Sequence, residues 1–212
     1  MVNKSSVRST VLLAAALWFL AVPGVGCQSE GDSEEDTTAA LLVLLQGFVD
    51  NYNGTITQGS VTWMKCAQGQ VWNAGLNNCA GTGGGTTYGA LSLQFCSVLT
   101  GNYADCTNSD TVTPTATSGP AYDSCNNLSF AGYSDWRLPS KAELETLVAN
   151  LNRSAFLYAF PETPDDKLFW SGTGNADQSD GSEAYGVNFS ESKFGETEIA
   201  TKDSVKYVRC VR

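Results

Sequence analysis

The chain has 212 residues, a formal net charge of −10 and no histidine. Its length is typical of one domain with a leader, and its 21 glycines and modest charge content favour a loop-rich domain over a helical bundle. The acidic balance argues against nucleic acid and anionic polysaccharide as partners, and the absence of histidine excludes Ser-His-Asp and Cys-His catalytic sites and zinc sites with histidine ligands.

Residues 1–26 are typical of a targeting segment. Lys4 and Arg8 precede an apolar run over residues 11–22, which is too short for a comfortable membrane span. Small residues then lead to Cys27, as in a bacterial lipobox, although a glycine stands three residues before the cysteine where leucine is usual. We therefore expect Cys27 to be the lipidated N-terminus; the alternative is an ordinary secretory signal with Cys27 as a spare thiol.

The cysteine count supports a lipidated and exported protein. If Cys27 carries lipid, six of the seven cysteines remain, which is enough for three disulfides. The six are Cys66, Cys79, Cys96, Cys106, Cys125 and Cys210. Six cysteines allow fifteen connectivities, and spacing alone selects none of them. We expect an anchor in a bacterial membrane, with the outer membrane favoured and the side that the protein faces left open.

An acidic tether is predicted over residues 27–40, because residues 28–38 contain almost only polar and acidic side chains. The folded domain is expected over residues 41–212. It starts with the apolar run 41–45, which is too short to span a bilayer and fits a buried strand or a short helix equally well.

Two β elements are predicted next. Residues 48–57 are typical of a hairpin, since Asn53-Gly54 is a favoured turn pair that tolerates positive φ. Residues 61–66 favour a strand that leads into a loop bounded by cysteines. Residues 81–85 form a glycine-rich linker and lack the spacing of a phosphate-binding loop.

A short helix that carries Cys96 is expected over residues 90–99, and a Thr/Ser/Pro loop follows over residues 107–119. Gly119-Pro120 is a good helix start because proline suits the first turn. The helical spacing continues through Cys125 and stops before Gly132.

The most legible stretch is the sequence GYSDWRLPSKAEL at residues 132–144. Ser140 and Glu143 have the spacing of a capping box, and Pro139 helps to aim the chain into the helix. Apolar residues then recur at helical spacing, which predicts a helix over residues 140–151 packed on a core.

Trp136 and Arg137 in this stretch have two interpretations. They are either a sugar-stacking tryptophan beside a recognition arginine, or a buried tryptophan beside an arginine that pins the loop by pairing with Asp135, Glu143 or backbone carbonyls. We favour the second, because a buried arginine must be paired and this loop supplies acceptors. Core positions are likewise expected for the tryptophans Trp63, Trp72 and Trp170.

The remainder of the chain favours strands separated by polar loops, with alternation over residues 184–189 and 205–211. The loop over residues 175–183 offers three carboxylates to calcium: Asp177, Asp180 and Glu183. Calcium takes six to eight oxygen ligands, so a solvated acidic loop is the favoured interpretation and we expect no cofactor.

Five stretches together resemble the DUF1566 family, also called the Lcl C-terminal domain, in the family's own order. They are residues 48–57, residues 62–70 with Trp72 and Cys79, residues 132–144, residues 169–173 and residues 207–212. The resemblance implies an α+β, C-type-lectin-like domain related to formylglycine-generating enzymes, with two helices packed on short antiparallel sheets and braced by disulfides. It also implies bridges between Cys66 and Cys79 and between Cys125 and Cys210, and Cys96 is then paired with Cys106 by elimination.

Three functions remain open at this point. The first is a non-enzymatic binding or adhesion module that contacts a glycan or a protein, and the second is a structural envelope lipoprotein without a small ligand. The third is an oxidase related to formylglycine-generating enzymes, which needs a reactive cysteine pair for which we find no convincing motif. We favour the binding module, with the membrane as a partner through its lipid and no nucleic acid; the ligand and the oligomeric state are not predicted.

Overall fold

The computed structural model describes residues 32–81, 87–97, 106–177 and 181–212. The predicted leader, Cys27, most of the glycine-rich linker and Asp180 lie outside these residues. Within them the chain is α+β, as predicted. The helices are α1 (Asp32–Leu45), α2 (Pro120–Asn126), α3 (Lys141–Val148) and α4 (Arg153–Ala159), and a 3-10 turn spans Glu191–Lys193.

Ten short strands form four antiparallel sheets in the described residues. The strands are β1 (Phe48–Asp50), β2 (Thr55–Gln58), β3 (Val61–Met64), β4 (Gln70–Asn73), β5 (Asn78–Gly81), β6 (Leu93–Gln94), β7 (Leu168–Gly174), β8 (Glu183–Asn188), β9 (Thr197–Thr201) and β10 (Val205–Lys206). The sheet orders are β1-β2-β3, β4-β5, β6-β10 and β7-β8-β9.

The expectation of two helices is wrong, because α1 and α4 accompany the predicted α2 and α3. Residues 41–45, which the sequence left as a strand or a helix, belong to helix α1. This helix begins at Asp32, so it includes part of the segment that we expected to be a tether. Ala39 and Val43, one helical turn apart, are its buried positions. α1 packs mainly on α4, so the burial of one face holds the helix on the domain.

The hairpin prediction over residues 48–57 is confirmed by the antiparallel pairing of β1 with β2. Asn53 shapes its turn, since its Oδ1 accepts hydrogen bonds from the backbone N–H and the hydroxyl of Thr55. Gly54 has a φ of +85°, and a Cβ there would lie 2.7 Å from the ring of Phe130 and 2.8 Å from that of Trp72. The turn therefore requires glycine for both its backbone conformation and its close packing.

Two other local predictions are wrong. Residues 90–97 contain no helix, because Leu93 and Gln94 pair with β10, more than a hundred residues away. The alternation expected over residues 205–211 is replaced by five consecutive buried residues after β10. Its side chains enter both core clusters, since Tyr207 and Val211 belong to one and Val208 and Cys210 to the other, so both faces of this segment are buried.

Two apolar clusters make up the core of the described residues. The first is rich in aromatic rings from α4, β7 and the end of β8, and Phe156 stacks on Phe160 with ring centroids 4.8 Å apart. The second surrounds Trp136 and Trp170 and contains four of the six bridged cysteines. The three disulfides join Cys66 to Cys79, Cys96 to Cys106 and Cys125 to Cys210, so the prediction of a disulfide-braced domain is confirmed.

Candidate functional site

A groove of about 590 Å³ lies between α3 and the turn that joins β2 to β3. Its walls come from two of the sequence stretches singled out above, since Trp63 belongs to residues 62–70 and Glu143 to residues 132–144. Gln46, just after α1, completes the lining from a third part of the chain. Because it joins these conspicuous stretches, the groove is the candidate site.

The α3 wall is fixed by the predicted capping box. The Oγ of Ser140 accepts a hydrogen bond from the backbone N–H of Glu143 at 3.2 Å, and Oε2 of Glu143 accepts one from the N–H of Ser140 at 2.7 Å. Leu144, Leu147 and Val148 are the buried residues of α3. The helix ends at Val148, one turn before the predicted end at residue 151, and Asn150 then takes a φ of 60° at the groove.

Arg137 and Glu143 form a bidentate ion pair at the groove wall. Nη1 and Nη2 of Arg137 donate to Oε2 and Oε1 of Glu143 at 2.8 and 2.6 Å. Hydrogen bonding by Arg137, assisted by the N–H of Ser140, holds the pKa of the Glu143 carboxyl below its usual range. Glu143 therefore stays ionised at neutral pH, and its charge is balanced by a guanidinium in contact with it.

Trp63 borders the groove and is 1% exposed. It sits on β3, where it pairs with Ile56 of β2 and forms an isolated bridge with Val211. Its indole nitrogen is buried and has no hydrogen-bond partner among the described residues. An unsatisfied buried donor of this kind costs about 1–3 kcal/mol, which makes it unusual in a folded protein.

The remaining polar lining is neutral. The side chains of Gln46, Gln58, Ser60 and Asn150 all face the groove without a hydrogen-bond partner among the described residues. Amides and hydroxyls both donate and accept, so these groups match a ligand whose own polar groups do the same. Of the described residues that line the groove, Glu143 is the charged one, and Arg137 neutralises it.

The conspicuous residues of the stretch 132–144 divide between the core and the surface. Trp136 is buried, and its Nε1 donates to the carbonyl of Phe130 at 3.2 Å, as the pinned-loop interpretation expects. Arg137 pairs with Glu143 but is not buried, because 47% of its side chain is exposed. Asp135 pairs instead with Arg212, whose guanidinium lies 3.7 Å from the ring centroid of Tyr133.

The other tryptophans also differ in their burial. Trp63 and Trp170 are core residues, and Trp170 donates through Nε1 to the carbonyl of Leu93 at 2.9 Å. Trp72 is only partly buried, so the expectation of a core position is wrong for it. Its ring packs under the ammonium of Lys65, at 4.8 Å from the ring centroid.

The described part of the loop considered for calcium offers few oxygens to a cation. Asp177 is exposed, Asp180 lies outside the described residues, and Oε2 of Glu183 accepts a hydrogen bond from Asn175 at 3.0 Å. Among the described residues, no group of three or more histidine, cysteine, aspartate or glutamate side chains is placed to hold a metal ion.

Three cations that the sequence did not reveal are buried in the described residues: Lys65, Lys202 and Arg209. Lys65 is 1% exposed and donates to Oδ2 of Asp50 at 2.6 Å. Arg209 is fully buried and donates to the carbonyls of Met64 and Lys65 and to the hydroxyl of Thr163. Burial lowers the pKa of Arg209 to about 9, which still leaves it charged at neutral pH. For Lys65 and Arg209 the available signal was weak: each lies beside aromatic or apolar residues in a predicted strand.

A comparison with family models identifies the family of the chain. The family model described as the Lcl C-terminal domain matches residues 56–212 and so includes both walls formed by β2–β3 and α3. A search of curated proteins gives no match. Within the described residues, no helix is long and apolar enough to cross a membrane.

Proposed function

The chain belongs to the Lcl C-terminal domain family, and from that premise we propose that it is a non-enzymatic binding module of the bacterial cell envelope that recognises a neutral saccharide in the groove. The module is anchored through a lipid on Cys27 and has a C-type-lectin-like fold. The targeting segment, the cysteine parity and the bridged cysteines support export.

The observation that carries the proposal is the neutral hydrogen-bonding lining of the groove around Trp63. Saccharide hydroxyls both donate and accept, as do the unpaired amides of Gln46, Gln58 and Asn150. A few polar groups around an apolar floor is the usual composition of a small-molecule site. Val61 and Ala149 supply the accessible apolar part, against which the C–H faces of a sugar would pack, and the buried ring of Trp63 borders the groove.

Charge selects neutral ligands over anionic ones. The full chain carries a net charge of −10, and the described lining of the groove has no uncompensated cation. A sulfated or uronic acid polymer would therefore gain little attraction from the lining and would meet repulsion from the whole protein. The oxidase alternative loses support, because the six cysteines that it would draw on are bonded to one another.

The test is isothermal titration of the mature chain with chitotriose, maltotriose and cellotriose as neutral probes and heparin as the anionic probe. We expect at least one neutral probe to bind and heparin not to bind. Gln58→Ala combined with Asn150→Ala should weaken binding by about tenfold or more, the equivalent of about 1.4 kcal/mol, because hydrogen bonds to the ligand are removed.

A matched control is Asn126→Ala, which removes an exposed amide at the end of α2, outside the groove lining. This variant should bind like the parent chain. Tighter binding of heparin than of every neutral probe, or neutral binding that survives the double substitution, would contradict the assignment.

The anchor is tested separately, by the intact mass of the mature protein from its native host. An N-terminal Cys27 with the added mass of acyl chains is the expected result. A mature N-terminus without acyl mass would overturn the lipid anchor while leaving the saccharide proposal to its own titration.

A further inference from the structure

We infer that a second concavity, an apolar cleft beside α1, rests on the surface of the bilayer that holds the lipid anchor. The cleft has a volume of about 550 Å³ and lies among α1, the β1–β2 hairpin and α4. The inference rests on the anchor proposed above, and its test is arranged so that the two can fail independently.

The cleft is mainly apolar, and the two polar side chains in its lining, Asp50 and Asn77, both accept hydrogen bonds from the ammonium of Lys65. Buried residues form its floor, among them Val43, Phe48 and Ile56. The rim consists of large apolar or aromatic side chains that remain exposed: Leu44 at 67%, Val49 at 60%, Tyr52 at 82% and Tyr158 at 50%. A contiguous apolar surface of this kind marks a contact site more often than an accident of packing.

The outer face of α1 strengthens this pattern. Its inner positions are buried against the domain, yet Leu41, Leu44 and Leu45 are exposed on the other side. A surface helix of a soluble domain normally carries polar residues on that side. The second half of α1 is therefore apolar on both sides, as expected for a helix that lies between the domain and a lipid phase.

Tyr52 is held outward at the tip of the β1–β2 hairpin. Its φ is 56°, a left-handed conformation that costs about 1 kcal/mol or more for a residue other than glycine. Oδ1 of Asp50 accepts a hydrogen bond from the N–H of Tyr52 at 2.8 Å and supports this conformation. Tyrosine is enriched where membranes meet water, because its ring is apolar and its hydroxyl is polar.

The position of the anchor selects a bilayer as the occupant. Four residues separate Cys27 from Asp32, the first residue of α1. Even fully extended, the chain from Cys27 to Asp32 spans at most about 18 Å. α1 has 14 residues and is about 21 Å long, so a lipidated Cys27 brings the bilayer within reach of its exposed leucines.

The charges favour a zwitterionic surface. The sequence of α1 starts with four acidic residues among its first five, and the described residues that line the cleft include no lysine or arginine. Attraction to anionic lipid therefore plays no part, and the contact depends on the burial of apolar surface.

The experiment measures hydrogen–deuterium exchange of the mature chain on vesicles. Cys27→Ser removes the acyl site, and an N-terminal hexahistidine tag attaches the chain to phosphatidylcholine vesicles that contain a small fraction of nickel-chelating lipid. We expect slower exchange over residues 41–56 and 153–159 than in free solution, and unchanged exchange over residues 190–206. Phosphatidylglycerol in the vesicles should reduce the protection.

The substitutions Leu44→Ser and Tyr52→Ser together should abolish this protection and leave the melting temperature nearly unchanged, since both side chains are exposed. The control pair is Val112→Ser with Ile199→Ser, which removes exposed apolar groups elsewhere and should retain the protection. Tethered protein without protection at residues 41–56 would overturn the inference. Equal protection in free solution together with a dimer mass by light scattering would also overturn it, because the cleft would then be a contact between two copies.

Discussion

The groove and the cleft are similar in volume, about 590 and 550 Å³, and differ in how their polar side chains are paired. They flank the C-terminal end of α1, where Leu44 lines the cleft and Gln46 lines the groove. The groove presents unpaired amides and a neutralised carboxylate. The cleft presents apolar and aromatic side chains together with Asp50 and Asn77, whose side-chain oxygens both accept from the ammonium of Lys65. The pairing of the polar lining, rather than the size of a cavity, therefore separates the two sites, and it is the basis on which we propose a hydrated ligand for the groove and lipid for the cleft.

The two concavities are also supported by different forces. Directional hydrogen bonds fix the groove wall at Ser140, Glu143 and Arg137. Apolar packing of Val43 and Phe48 on the α4 side holds the cleft. Substitutions can therefore damage one without the other, and these substitutions test whether the two surfaces are independent.

Arg209→Met should have the largest effect, because Arg209 supports both concavities. It bonds to the carbonyl of Met64 at the end of β3 and to Thr163, which follows α4, and its guanidinium lies 4.8 Å from the ring centroid of Phe160. The substitution leaves three buried acceptors unpaired, so we expect a loss of about 4 kcal/mol in urea unfolding. Arg212→Met, at an exposed ion pair, should leave the urea midpoint almost unchanged; equal losses would contradict the assigned role.

Val43→Ala should damage the cleft and spare the groove. Val43 is 5% exposed and belongs to the first core cluster. Its truncation to alanine removes two buried methyl groups and loosens the packing of α1 on the domain. We expect a loss of about 2 kcal/mol. Exchange protection on vesicles should fall, while saccharide affinity measured by titration stays the same. Loss of saccharide binding by this variant would show that the two surfaces are coupled.

Ser140→Ala should have the reverse effect at a smaller cost. It removes the hydroxyl that accepts from the N–H of Glu143, and the loss of such a cap costs about 1 kcal/mol. The first turn of α3 should fray, so that saccharide binding weakens while vesicle protection is retained. Ser140→Thr keeps an accepting oxygen and should restore both the stability and the binding.

The Glu143 carboxyl should make a modest contribution to the loss of stability at acidic pH. The pKa of this carboxyl is lowered in the folded state, mainly by hydrogen bonding to Arg137. As the pH falls past its ordinary value of 4.5, the unfolded chain takes up the proton first. The stabilisation is therefore complete above that pH and is lost as the pH falls through the folded-state pKa. Glu143→Gln should flatten this acid limb of the unfolding curve, and an unchanged slope would contradict the pairing.

Local features were predictable from the sequence, because neighbouring residues determine them. The capping box at Ser140 and Glu143 and the turn at Asn53-Gly54 depend on hydrogen bonds and backbone preferences within a few residues. The disulfide pairs followed from the family resemblance and from parity, and the pairs present in the structure are the ones expected.

Features that depend on distant partners were not predictable. Leu93 joins β10 across more than a hundred residues, which the local pattern does not encode. The groove collects Gln46, Gln58 and Asn150 from three separate segments, and no spacing rule connects them. The exposure of Arg137 depends in the same way on how the loop lies on the second core cluster.

The most direct test of the groove is a saccharide titration of the mature chain with its tryptophan indoles labelled with nitrogen-15, followed by NMR. The groove account predicts that the indole signal of Trp63 shifts as the strongest neutral probe is added. The signals of Trp136 and Trp170, whose indoles are bonded to carbonyls in the second core cluster, should stay in place. A shift of Trp72, beside Lys65, with Trp63 unmoved would contradict the account, since the ligand would then bind outside the groove.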